Sequence, residues 1–160
     1  MSLQLTAEQV WAALRKEIFA VLGMVNSKGE ARTIGIVYIV HDHKLYISTE
    51  KVAWKTRYIQ GNPHVSITVP IAKRIPILPW IKIPAATITF YGMAKVLDAR
   101  NVQGDLLHAL FHGLETNQEM LTTTAVLEIE PLGEFVTYGI GIPLMQMRHR
   151  EKARGRAPVA

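Results

Sequence analysis

The chain has 160 residues, 49% of them hydrophobic, with 18 basic against 13 acidic side chains, a formal net charge of +5 and a pI near 9.6. That length fits one domain, since two full cores would be cramped within it, and a charged fraction of 19% with positive mean hydropathy excludes a disordered chain. The absence of cysteine excludes a disulfide framework, a thiolate metal site, an iron–sulfur cluster and a cysteine nucleophile.

Thr6 followed three residues later by Gln9 fits a capping box, and Leu5 and Val10 are placed for a hydrophobic staple, which predicts a helix ending near Lys16 or Glu17. Its charges at Glu8, Arg15, Lys16 and Glu17 exclude a secretory leader. Residues 18–25 form a β-type apolar run, and Asn26, Ser27, Lys28 and Gly29 a turn in which glycine can take positive φ. A second strand is expected over 31–40, closed by the polar turn His41-Asp42-His43-Lys44, and a third over 44–49, giving an antiparallel meander. From 52 to 60 the period turns helical, with Val52, Thr56 and Ile59 on one face and Gly61-Asn62-Pro63 as the stop. Strands follow over 64–69 and 86–98, separated by an apolar, proline-punctuated loop at 72–85 that can be neither helix nor central strand. Leu106, Leu107, Leu110, Phe111 and Leu114 predict an amphipathic helix with Asp105 as its cap, and 124–131 and 134–140 the last strands.

The expected fold is mainly β with short helices, a six-stranded antiparallel β-barrel, closed or nearly so, in a single domain over residues 1–147. A basic, mobile tail over 148–160 completes the chain. No stretch of about 20 uncharged apolar residues exists to span a bilayer. A soluble, cytoplasmic protein with no membrane partner is expected.

The segment YISTEKVAWKTRYIQGNP carries the most chemistry. Hydroxyls at a strand end (Ser48, Thr49), free N–H groups at a helix start and a cation (Lys55) together make an anion pocket, although a solvated surface helix fits the same pattern equally well. Lys55 and Arg57 lie on different helix faces, so one of them is expected to turn inward. Arg32 follows the first hairpin, and its pattern places it either inward or in solvent. His108 and His112 stand four apart, a metal-ligand spacing, but no third ligand is evident and no metal site is assigned. Gly139-Ile140-Gly141 lacks the third glycine of a dinucleotide fingerprint. Arg148, Arg150, Lys152, Arg154 and Arg156 could meet phosphates. They lack the interleaved aromatics of single-strand binders, and nucleic acid is not an expected partner.

The run AVLGMVNSKGEARTIGIVYIVHDHKLYISTEKVAWKTRYIQGNPHVSITV, with the later FYGMAKVLD, resembles the pyridoxamine 5′-phosphate oxidase-like family of FMN-binding split β-barrels. The resemblance covers roughly residues 18–98. It implies a split barrel, a homodimer with cofactor sites at the subunit interface, and FMN as the cofactor. Carried over by position, Ser48 and Thr49 fall where the family contacts the cofactor, and Lys55 on its phosphate-binding lysine. Trp54 occupies a position that is often arginine. Gly35, Ile36 and Val37 match the stretch whose backbone lies against the flavin ring, Arg32 lies near the family's other phosphate arginine, and Thr87 falls where the oxidases carry a glutamine near the ring. No catalytic acid or base stands out. The C-terminal substrate signature of true pyridoxamine phosphate oxidases has no equivalent, and Arg148-His149-Arg150 is a superficial echo of it. The implied function is a flavin-dependent oxidoreductase that moves hydride to or from a small organic substrate. The alternatives are a reductase using the deazaflavin coenzyme F-420, and a non-catalytic flavin- or haem-binding protein with His108 or His112 as axial ligand.

Overall fold

The computed structural model describes residues 3–112 and 117–160, so Leu114 of the expected amphipathic helix lies outside the described residues. The element order is β1 (Leu3–Gln4), α1 (Ala7–Leu14), β2 (Phe19–Val25), β3 (Ala31–Val37), β4 (Ile39–His41), β5 (Lys44–Glu50), α2 (Trp54–Gly61), β6 (His64–Ile71), β7 (Ala86–Asp98), α3 (Gly104–Phe111), α4 (Gln118–Thr123), β8 (Thr124–Tyr138), α5 (Arg150–Ala153) and β9 (Arg154–Pro158). Short 3₁₀ turns at Ala99–Asn101 and Leu144–Arg148 complete it.

Local chemistry sets the starts and turns. Thr6 Oγ1 accepts from the Gln9 amide at 3.2 Å while Gln9 Oε1 accepts from the Thr6 amide at 2.8 Å, which closes the capping box of α1. Gly29 takes φ +76 in the β2–β3 turn, a conformation that favours glycine. Asp42 and His43 both take positive φ between paired His41 and Lys44. This two-residue loop has the primed geometry that matches strand twist. Asp105 lies inside the first turn of α3 and does not cap it; the N-cap is Gln103, which makes no side-chain cap bond.

The described residues form one sheet of nine strands rather than the expected six. The main path runs β1-β9-β8-β7-β6-β2-β3, and β5 pairs with both β8 and β4. All pairings are antiparallel except β1 with β9. Four differences from the sequence reading bear on the count, the first being β1, which was not expected and pairs with β9 at the chain's other end. The strand expected over 31–40 breaks at Tyr38, because β3 stays with β2 while β4 turns to β5. The two strands expected over 124–131 and 134–140 are one, β8, with an irregularity where Thr89 faces Val136 and Tyr91 faces Leu132. Part of the basic tail is itself a strand: β9 pairs with Glu134–Tyr138 of β8 and buries Gly155 and Ala157.

The break at Tyr38 is held from within. Tyr38 is buried, and its hydroxyl donates to the Leu14 carbonyl at 2.8 Å. Burial raises its pKa well above the usual phenol range. We expect Tyr38→Phe to cost about 1 kcal/mol in chemical denaturation, from the lost bond alone, since the Leu14 carbonyl still accepts from the Glu17 amide at 3.3 Å. At Gly92 β7 runs close against β8, since a Cβ there would drive into the Glu130 carbonyl oxygen. Gly92→Ala is accordingly expected to destabilise by about 2–3 kcal/mol, read as a fall in the denaturation midpoint.

Trp11, Leu14, Leu22, Ile67, Ile88, Leu127, Ile129 and Phe135 fill the barrel. A smaller cluster of Tyr46, Ala99, Leu106, Phe111, Leu121 and Val126 lies under α3 and α4. Among the described residues no helix is long and apolar enough to cross a membrane.

Candidate functional site

The split in the barrel is where a cavity forms. β4 covers β5 only along Lys44–Tyr46, so on that side Ile47–Glu50 have no strand partner. β3 pairs with β2 alone, and its other edge, with its backbone N–H and C=O groups, faces the same opening. A cavity of about 330 Å³ lies there, lined by Gly35, Ile36, Val37, Tyr38 and Ile39 from one side and Tyr46, Ile47 and Ser48 from the other. Lys55, Leu110 and His112 complete it.

Lys55 reaches the cavity because α2 is tied directly to the end of β5. Thr56 is buried, and its hydroxyl donates to the Glu50 carbonyl at 2.9 Å. Lys51 is paired with Asp98 at 2.6 Å, and the Lys51 and Arg100 cations hold the Asp98 carboxyl well below the usual range, Arg100 being the larger influence. The helix that follows begins at Trp54 with no side-chain cap on its first N–H groups. Lys55 is half-buried and makes no ion pair with any described residue. A cation in that position is open to water and to an anion entering the cavity. Arg57, on another face, is exposed and lines a separate groove with Asn26, Ser27 and Tyr58.

The floor of the cavity is fixed by Tyr46. Its hydroxyl donates to Glu128 at 3.0 Å, and Glu128 also pairs with Lys44 at 3.1 Å. Burial, then the Glu128 carboxylate, raises the Tyr46 pKa, so this hydroxyl stays a donor. The carboxylate it meets lines a neighbouring cavity with Lys44 and Leu106, not this one.

Of the residues singled out from sequence, Gly35, Ile36, Val37, Ser48 and Lys55 come together in the cavity, while Arg32, Thr49, Trp54 and Thr87 do not line it. Arg32 is paired with Glu30 at 2.8 Å. Thr49 neighbours Ser48 on β5 and is half-buried. Trp54 packs edge-on against Tyr58, with ring centroids 5.2 Å apart. Thr87 sits in a different cavity of about 480 Å³ on the outer face, with Thr89, Tyr138, Arg154 and Arg156. The sequence reading missed Tyr38, Ile39, Tyr46, Ile47 and Leu110 as lining residues. His112 was singled out only for its spacing from His108. That helical row is broken, since His112 is the left-handed C-cap of α3, at φ 50, and leaves the helix toward the cavity. Among the described residues no three His, Asp or Glu side chains converge on a metal position.

No protein-family model and no curated protein matches the chain. Solved structures do. A Listeria innocua protein provisionally named pyridoxamine 5′-phosphate oxidase matches with a TM-score of 0.61 at 16% identity, covering 78% of this chain and 92% of that one. An F-420 reductase matches with a TM-score of 0.54 at 16% identity, covering 78% and 93% respectively. A haem storage protein from Vibrio cholerae matches with a TM-score of 0.60 at 15% identity, covering 86% and 98%. Identities this low carry the architecture and not the chemistry, but the architecture is consistent across them: this chain has the split-barrel fold of the pyridoxamine 5′-phosphate oxidase-like proteins.

Proposed function

We propose that the cavity at the barrel split binds the phosphate-bearing cofactor FMN and that the protein is a flavin-dependent oxidoreductase acting on a small organic substrate. The observation that carries this reading is Lys55, a half-buried cation with no ion pair among the described residues, set beside Ser48 and the open edge of β3. Lys55 and Ser48 would hold the phosphate through charge-assisted hydrogen bonds. The backbone groups of Gly35 and Val37, which face away from β2, would meet the polar edge of the ring, and Ile36, Ile39, Ile47 and Leu110 would supply an apolar bed that limits water. Bound there, a flavin supplies the hydride chemistry, and the protein supplies anchoring and orientation. No side chain in the lining is an evident acid or base.

The reading includes a second copy. Phe19, Val37, Tyr91 and Val136 are exposed on β2, β3, β7 and β8, and they would supply apolar contacts to a second copy docked there. Val37 belongs both to this set and to the rim of the cavity, so a homodimer formed there would close over the cofactor. Thr87, on the outer face, would then meet a ring only from the partner's side.

A second reading is favoured by His112. An imidazole at the cavity wall can ligate an iron axially, and haem would use the same apolar bed. Mass spectrometry of the ligand released from native protein separates the readings. FMN with an absorbance band near that of free flavin is the expected result. A blue-shifted deazaflavin band would move the assignment to coenzyme F-420, and a Soret band lost in His112→Ala would move it to haem. Light scattering should give twice the 17.9 kDa of one chain.

A further inference from the structure

The β6–β7 connection, residues 72–85, carries two sets of apolar side chains that face opposite ways. Ile75, Ile81 and Ile83 turn toward the protein and meet Leu144, Met147 and Pro84 in a narrow cleft of about 50 Å³. Ile77, Leu78 and Trp80 turn outward, with Ile77 85% and Trp80 73% exposed. Met145 on the adjoining 3₁₀ turn is exposed as well, at 68%. None of these residues lines the Lys55 cavity. The loop is therefore rooted in the fold by one set and holds a second set out in solvent that the core does not need.

The charges within the loop and in the cleft beneath it are all positive. Lys73, Arg74 and Lys82 lie in the loop and Arg148 beside it, and none is paired with a described carboxylate. From Lys51 to Leu97 the chain has seven Lys and Arg residues and no Asp or Glu. A tip of Trp, Ile and Leu inside a collar of cations matches the two layers of a membrane interface, acyl chains below and anionic headgroups above. The backbone suits it too. Pro76 and Pro79 have no N–H, and Leu78 and Ile81 donate into successive turns, to Ile75 and Leu78 carbonyls at 3.2 and 3.1 Å. Fewer unpaired donors lower the cost of entering an apolar layer.

We propose that the 72–85 loop is an interfacial anchor that seats the protein on an anionic lipid surface, with Ile77, Leu78 and Trp80 inserted and Lys73, Arg74, Lys82 and Arg148 at the headgroups. Such an anchor needs no spanning helix, so the lack of one, which led the sequence reading to expect no membrane partner, does not oppose it. The site is separate from the cofactor cavity and stands whatever that cavity holds.

The test is co-sedimentation of the full chain with phosphatidylcholine vesicles, with and without phosphatidylserine. Binding to the mixed vesicles alone is expected, with a blue shift of tryptophan emission and quenching by acyl-brominated lipid, both lost in Trp80→Phe. The triple variant Ile77→Ser, Leu78→Ser, Trp80→Ser should reduce partitioning more than about tenfold, with an unchanged melting curve because all three side chains are exposed. Each of Lys73→Gln, Arg74→Gln and Lys82→Gln should reduce it about fivefold. Four outcomes overturn the proposal: no vesicle binding; binding unaffected by the triple variant; adsorption without a blue shift; or a triple variant that alters oligomeric state while vesicle binding persists, which would make the knob a contact between copies.

Discussion

Replacing Lys55 by Ala should weaken FMN binding about tenfold to a hundredfold, the value of one or two charge-assisted hydrogen bonds to a phosphate. Affinity for riboflavin, which has the same ring and no phosphate, should hardly change. The comparison matters because it separates loss of the anchor from damage to the cavity. Lys55 makes no ion pair among the described residues, and the neighbouring contacts that place α2, from Thr56 to the Glu50 carbonyl and from Lys51 to Asp98, do not involve it. The variant should therefore keep its melting temperature. Lys55→Arg, which retains the charge, should restore part of the FMN preference. Flavin fluorescence quenching measures all three. Equal losses for FMN and riboflavin would mean that the lysine shapes the cavity without meeting a phosphate, and no loss for either would remove it from the site.

What could be read of this site in advance follows from how local each feature is. Ser48 and Lys55 were legible because they lie within eight positions of each other, at the end of one element and the start of the next, and α2 is bonded straight back to β5. Leu110 and His112 reach the same cavity from α3, by a path that depends on where the helix docks, and nothing in the local pattern reports docking. Arg32 was ambiguous by alternation and was settled by a residue two positions away, since Glu30 takes its guanidinium. The fold divides in the same way. The capping box of α1, the polar turn at His41-Asp42-His43-Lys44 and the bounds of β7 are set by short-range chemistry and match the sequence reading, while the positive φ of Asp42 and His43 was not read from it. The break at Tyr38 was invisible because the apolar run continues through it, and only the choice of partner strand divides β3 from β4. β9 was invisible for a different reason. Arg-Gly-Arg-Ala-Pro has little strand propensity, and its ladder is supplied by β8 on one side and β1 on the other.

That dependence of the chain ends on distant partners makes Trp11→Ala the substitution with the largest expected cost to stability. Trp11 is fully buried on α1. Its ring stacks on His43 of the β4–β5 turn, centroids 4.9 Å apart and planes 20° from parallel, and meets Phe135 of β8 edge-on at 5.3 Å. Its indole Nε1–H donates to the Val159 carbonyl at 3.1 Å. One side chain thus joins the first helix, a hairpin, the central long strand and the last residues of the chain. Truncation to Ala should cost about 4 kcal/mol, mostly lost packing and the cavity left behind. For a chain of this size that corresponds to a fall in Tm of about 8–16 °C. Trp11→Phe keeps an aromatic face for His43 and Phe135 but not the donor to Val159, and should cost less than half as much. If the indole bond secures the C-terminal strand, both variants should also speed proteolytic clipping after Arg154 or Arg156 under native conditions, since release of Val159 frees β9 from one of its ties. Flavin affinity, measured well below the melting point, should be the same in all three proteins, because Trp11 is not among the residues that line the Lys55 cavity. A change in affinity that tracked the loss of stability would instead mean that the C-terminal strand and the barrel split move together.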